Sequence, residues 1–137
     1  MKVSVSIQDP SAWLKKANSD LIVIRMCLTN EETLDAAAYH AQQVAEKALK
    51  AFVVFHLKDV KKTHDLEYLV DVCSRFDFSF IQLRDYAARL NGYVTYSRYP
   101  DDYFTIDLDE AKVAYKRAKH IFDFVAQRLP AEVPKGV

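Results

Sequence analysis

Two stretches of the chain carry residue types that could do chemistry. Gln43, Glu46, Lys47 and Lys50 recur at three- and four-residue spacing, which stacks them along one edge of a helix. Two ammonium groups flanked by amides can hold phosphate oxygens. The same residues can equally form a solvated face on which Glu46 pairs with Lys50 four residues on. The second stretch is Tyr96-Ser97-Arg98-Tyr99-Pro100-Asp101-Asp102. A planar guanidinium between tyrosines can bind phosphate while a ring stacks on a base. Alternatively, Arg98 pairs with Asp101 or Asp102 and pins the loop to the rest of the molecule.

Other chemistries find little support. The four histidines, at 40, 56, 64 and 120, include no HExxH and no pair at the spacing of one metal-ligand face. His64-Asp65 resembles a fragment of a metal-hydrolase motif without its partners; the simpler role for these residues is to close and cap the helix that follows, where Asp65 suits the helix dipole. Cys27 and Cys73 lie in apolar periodic segments with no activating cation, which reads as two buried reduced thiols rather than a disulfide. No serine sits in a glycine elbow, and neither a Walker loop nor GxGxxG occurs, so a conventional nucleotide fold is excluded. No catalytic residue and no metal ligand is assigned.

The elements that must position these residues follow from periodicity. Residues 34–57 read as one long helix, with Leu34, Ala38, Ala41, Ala45, Ala48, Phe52 and Phe55 on its buried face. Its alanines permit close helix approach, and Phe52, Val53, Val54 and Phe55 imply burial on more than one side. His40, Gln43, Lys47 and Lys50 form one polar ridge, with Tyr39, Gln42 and Glu46 beside it. Before it, Asp9-Pro10 starts a helix to about Leu28, with Leu14, Ala17, Leu21, Ile24 and Leu28 inward and Trp13 extending that face. Thr29 to Glu32 has capping-box form.

After a short basic loop at 58–63, Thr63 can cap a helix carrying Leu66, Leu69, Val70 and Cys73. A second capping box, Ser79 with Gln82, opens a helix with Phe80, Leu83, Ala87 and Leu90 inward. That helix weakens at Asn91-Gly92. Pro100 disfavours α geometry at Tyr99, so the tyrosine-rich stretch reads as a loop. The last helix starts near Asp107 and runs through Ala111, Ala114, Ala118, Ile121, Val125 and Leu129 to Pro130.

With 137 residues, half of them hydrophobic and only two glycines, the chain suits helices joined by polar loops better than a sandwich or a Rossmann domain. The expected fold is all-α, an antiparallel up-and-down bundle of four to five helices. Residues 1–9 form an extended lead-in, 10–130 the bundle and 131–137 a tail. Nineteen basic and nineteen acidic side chains cancel, so no global attraction to nucleic acid follows. The first residues lack the apolar run of a signal peptide and no stretch reaches transmembrane length, which points to a soluble cytoplasmic protein.

The order of the motifs resembles the HEPN domain, a small helical bundle named for higher eukaryotes and prokaryotes and for nucleotide binding. Gln43-Val44-Ala45-Glu46-Lys47-Ala48-Leu49-Lys50-Ala51 is similar to the family's QxxEKxLKA pattern. Thr63-His64-Asp65-Leu66 followed by Leu69 resembles its THDL element, and Ser97-Arg98-Tyr99-Pro100-Asp101 its RYPD element. The resemblance spans about residues 12 to 128.

What it implies is divided. Many HEPN proteins are compact dimers encoded beside a minimal nucleotidyltransferase, in toxin–antitoxin or related systems. Others are metal-independent endoribonucleases that use an Arg followed, after four to six residues, by His. None of Arg25, Arg75, Arg84, Arg89, Arg98, Arg117 and Arg128 has His at that distance, which removes the usual base for a 2′-hydroxyl. The resemblance therefore implies a non-catalytic nucleotide-binding homodimer with a nucleotidyltransferase partner and no cofactor besides a bound nucleotide. In that reading Gln43, Lys47 and Lys50 contact phosphate, Arg98 completes the anion site with Asp101 beside it, and Tyr96 or Tyr99 stacks on a base. His64 and Asp65 orient the adjoining loop. The alternatives are an RNA-cleaving toxin with a displaced active site and a helical scaffold whose tyrosines anchor an interface.

Overall fold

The computed structural model describes residues 8–94 and 105–135. All regular structure among them is helical: α1 (Pro10–Cys27), α2 (Leu34–Leu57), α3 (Leu66–Ser74), α4 (Arg84–Asn91) and α5 (Leu108–Arg128). Residues 1–7 of the extended lead-in expected over 1–9 lie outside the described residues, as does the tyrosine-rich loop from 95 to 104.

Helix α2 is the axis of the bundle and packs against the other four α-helices. Its Ala37, Ala38, Ala41, Ala45, Ala48 and Ala51 are all buried, which lets neighbouring backbones come close, while Phe52, Val53 and Val54 fill the wider end. Helices α1 and α2 run antiparallel, because Asp20 meets His40 and Lys47 while the earlier Trp13 meets the later Lys50. Helix α4 returns along α2. Phe80, in the 3-10 turn before it, lies 4.3 Å ring to ring from Phe52, and Tyr93, just after it, hydrogen-bonds Glu110 in the first turn of α5. Helix α5 then runs with α2, from Ile106 beside Asp35 to Phe124 against Phe80. Four legs thus alternate in direction. Helix α3 lies antiparallel to α4, with Leu66 joined to Asn91 at one end and Asp71 to Arg84 at the other.

The helix starts show where short polar residues compete. Asp9 and Asp107 cap α1 and α5 as the spacing predicts, accepting from Ser11 N and Glu110 N. At the other starts the cap moves by one or two residues. Asn30, not Thr29, accepts from Glu32 N and opens a 3-10 turn, Glu31–Thr33, ahead of α2; Thr29 instead donates to the Met26 carbonyl. Of the two caps the sequence offers for α3, Asp65 takes the position, accepting from Glu67 N and Tyr68 N, while Thr63 accepts from Asp65 N. Asp77, not Ser79, opens the segment Phe78–Leu83, which is 3-10 rather than α. In each case a carboxylate or amide oxygen takes a capping position that a neighbouring hydroxyl could also have filled. Cys73 is buried and Cys27 half-buried, both as free thiols. Burial pushes the Cys73 thiol far up, and its Sγ donates to the Leu49 carbonyl.

Candidate functional site

One continuous polar edge interrupts this apolar interior. It begins on α1 at Asp20, crosses α2 and ends at His64, just before α3. Asp20 occupies a core position, three residues after Ala17 and four before Ile24, and it is buried. Its two oxygens are divided: Oδ1 lies 2.8 Å from His40 Nδ1 and Oδ2 accepts from Lys47 Nζ at 2.7 Å. Burial alone would raise this carboxyl, but the hydrogen bonds and charges of His40 and Lys47 together outweigh it and hold it below its ordinary value.

A second carboxylate repeats the arrangement one helical face away. Glu46 is 6 % exposed; its Oε2 accepts from Lys50 Nζ at 2.9 Å and its Oε1 lies 2.8 Å from His64 Nδ1. Here too burial pushes the carboxyl up, and hydrogen bonds from Lys50, His64 and Gln42 with the Lys50 charge more than reverse it. Gln42 is fully buried and donates both to Glu46 Oε1 at 3.3 Å and to the His64 carbonyl at 3.1 Å. Gln43 donates to Gln42 Oε1 at 2.7 Å. Among the described residues no buried side-chain polar atom is left without a partner, so the network is complete in the sense that buried polarity requires.

The positions of the expected site residues divide into two groups. Gln43, Lys47, Lys50, His64 and Asp65 are brought to this edge, but not as a free cationic strip. Lys50 in particular does not face solvent. Its side chain is 7 % exposed, its ammonium is held by Glu46 and lies 5.5 Å from the centre of the Trp13 ring. The ion pair four residues apart is therefore formed, yet inside the protein rather than on a solvated face. Lys47 is 23 % exposed and is held by Asp20. Tyr96, Arg98, Tyr99 and Asp101 lie outside the described residues.

The described residues on either side of 95–104 are fixed by hydrogen bonds. Before it, Asn91 accepts from Leu66 N at 2.8 Å and donates to Asp65 Oδ1 at 3.2 Å, so the end of α4 is tied to the start of α3, beside His64. Tyr93 donates to Glu110 Oε2 at 2.8 Å. After it, Ile106 N donates to Asp35 at the start of α2.

Sequence reasoning missed Asp20 as the counter-charge to Lys47, and Asn91 as the tie at the α3 start. Asp20 did leave a signal, since an acidic residue inside the apolar stripe of α1 needs a buried partner. Asn91 left none, because its role depends on which helix start lies opposite it. Among the described residues no group of three His, Cys, Asp or Glu side chains could hold a metal ion, and no helix is long and apolar enough to cross a membrane.

An all-α bundle built on one alanine-rich central helix, with an internal charge network where QxxEKxLKA and THDL meet, defines the class of protein. A family model for the HEPN domain matches residues 10–129, and the chain belongs to that family. No curated protein and no solved structure matches it. Membership is consistent with a nucleotide-binding or ribonuclease-type role.

Proposed function

We propose that this HEPN protein binds a nucleotide at the polar edge of α2 without cleaving RNA, as a homodimer that works with a minimal nucleotidyltransferase. The observation that carries the binding reading is the convergence of Gln42, Gln43 and Glu46 from α2 with His64 from the α3 approach, in a bundle whose other helix contacts are chiefly apolar. Buried amides, carboxylates and ammonium groups are costly to gather, and a fully satisfied set fixes the geometry of whatever meets its outer rim. That rim is electrically balanced, because Lys47 and Lys50 each hold a carboxylate. The unbalanced cation for an anionic ligand is assigned to Arg98, seven residues after Asn91, which is tied to Asp65 and Leu66 next to His64. Lys50 then acts by holding Glu46, and Lys47 is the lysine at the rim. The lack of an Arg-x4-6-His pair anywhere in the chain supports the non-cleaving part of the reading.

Calorimetric titration of ATP and GTP into wild type, Arg98→Ala and Lys47→Ala tests it. Binding by wild type that weakens about tenfold or more in Arg98→Ala, and less in Lys47→Ala, is expected, since a charge-assisted hydrogen bond is worth more than a neutral one. Equal binding by wild type and Arg98→Ala removes the anion site. Co-purification of the chain with an adjacent nucleotidyltransferase tests the partnership.

One observation favours a second reading, metal-independent RNA cleavage: Glu46 orients His64 as a carboxylate orients a catalytic imidazole. Labelled RNA incubated with the protein and a chelator separates the two, cleavage that is lost in His64→Asn being the result that selects the second.

A further inference from the structure

Everything that fixes His64 lies behind it. Nδ1 is 2.8 Å from the buried Glu46 Oε1, and the residue's own carbonyl accepts from the buried Gln42. The next residue caps α3 and is bonded by Asn91. The His64 side chain is nevertheless 58 % exposed. Glu46 can only accept, because its carboxyl is ionised and already takes hydrogens from Lys50 and Gln42, so the hydrogen in the His64 bond sits on Nδ1. In the neutral ring Nε2 is then a bare lone pair on the far edge of the imidazole. No hydrogen bond occupies it among the described residues.

The Asp20 cluster provides an internal control. There the histidine, His40, is 28 % exposed, and it serves the same carboxylate as a lysine that itself reaches the rim. At Glu46 the lysine is withdrawn and the histidine presented. A buried carboxylate behind a presented ring fixes the tautomer and strengthens the free nitrogen as an acceptor.

An acceptor at this place has a defined complement. Ionised phosphate oxygens have no hydrogen to give it, and the exocyclic donors of nucleobases differ from one base to the next. The ribose 2′-hydroxyl is a donor present on every ribonucleotide and on no deoxyribonucleotide. We propose that His64 Nε2, aimed by the Glu46, Lys50 and Gln42 network, accepts a hydrogen bond from the ribose 2′-hydroxyl, so that His64 is the residue selecting ribonucleotides over deoxyribonucleotides. This rests on the nucleotide-binding reading above and adds to it the part of the ligand that is recognised.

Titration of ATP, 2′-deoxyATP and 3′-deoxyATP into wild type, His64→Asn and His40→Asn tests it. Asparagine places an amide N–H where Nδ1 was and supplies nothing at Nε2. Wild type is expected to bind ATP and 3′-deoxyATP up to about tenfold more tightly than 2′-deoxyATP, the range of one hydrogen bond. His64→Asn should bind all three alike at the weaker affinity with the melting temperature of wild type, and His40→Asn should keep the preference. Equal binding of all three nucleotides by wild type overturns the hydroxyl role and leaves nucleotide binding standing. A preference that survives in His64→Asn also overturns it, and failure of wild type to bind any of the three overturns both.

Discussion

At Asp20 the two carboxylate oxygens are shared between His40 and Lys47, and at Glu46 between His64 and Lys50. The chemistry is the same and the placement is reversed. Around Asp20, the lysine and the histidine are both half-buried and both belong to α2, so the carboxylate on α1 clamps one helix to another. Around Glu46, the lysine lies inside and the histidine comes from the loop before α3, so the carboxylate supports an exposed ring. The first arrangement needs nothing from outside the bundle to account for it. The second sets a buried charge pair behind a surface imidazole, which is why the proposed ribose contact is placed at His64.

The largest effects should separate the two carboxylates. Removing Glu46 strands the Lys50 ammonium beneath the surface, and Glu46→Ala should cost about 3–5 kcal/mol in urea unfolding, the range for breaking a buried pair. Lys47 can turn to water when Asp20 is lost, so Asp20→Ala should cost about 1–2 kcal/mol. Replacing the inner pair together, Glu46→Met with Lys50→Met, should restore most of the stability while abolishing the His64 anchor. Equal costs for Glu46→Ala and Asp20→Ala would erase the distinction between clamp and support.

A smaller loss is expected at the seam that joins the Glu46 cluster to α4. Asp65 both caps α3 and accepts from Asn91, so Asp65→Ala should lower the unfolding free energy by about 1 kcal/mol. Thr63→Ala, which removes one acceptor for a loop N–H, should cost less.

Acid should reveal both clusters at once. Each carboxyl is held below its ordinary value, so in acid the unfolded chain takes up protons that the folded chain resists. That part of the stability is present above about pH 4.5, the higher of the two ordinary carboxyl values, and is lost as pH falls further through the folded values. Thermal melts between neutral pH and about pH 3 should show it, with a shallower fall in the double Met variant. His56 adds a gentler slope of the same sign at higher pH. Though its edge is exposed, Phe52, Phe55 and Phe76 line its ring, and this apolar setting, together with Lys58, lowers its value against the pull of Asp77. Stability held above about pH 6.5 is therefore eroded just beneath it, and His56→Phe should flatten that step.

Much of the bundle was legible because burial writes a period. The α2 limits, the inward faces of α1, α4 and α5, and the Asp107 cap all follow from apolar spacing and from an acceptor placed three residues before a free N–H. What was not legible required a second element. The polar ridge of α2 could be read as cationic because Lys47 and Lys50 are on it, but Asp20 is on another helix, and the depth of Lys50 depends on Trp13 covering it. The 3-10 segments at 31–33 and 78–83 were hidden for a local reason, since adjacent Thr, Asn, Asp and Ser residues all have capping chemistry and only geometry selects among them.

The state of two imidazoles is the most direct test, and long-range nitrogen–proton correlation spectra of the native protein can read it at about pH 8.5, two units above the ordinary imidazole value. His64 is predicted to carry its hydrogen on Nδ1, with an Nε2 resonance that moves when ATP is added while that of His40 stays in place. A His64 ring protonated at Nε2 instead, or equal movement at His40 and His64, would contradict it.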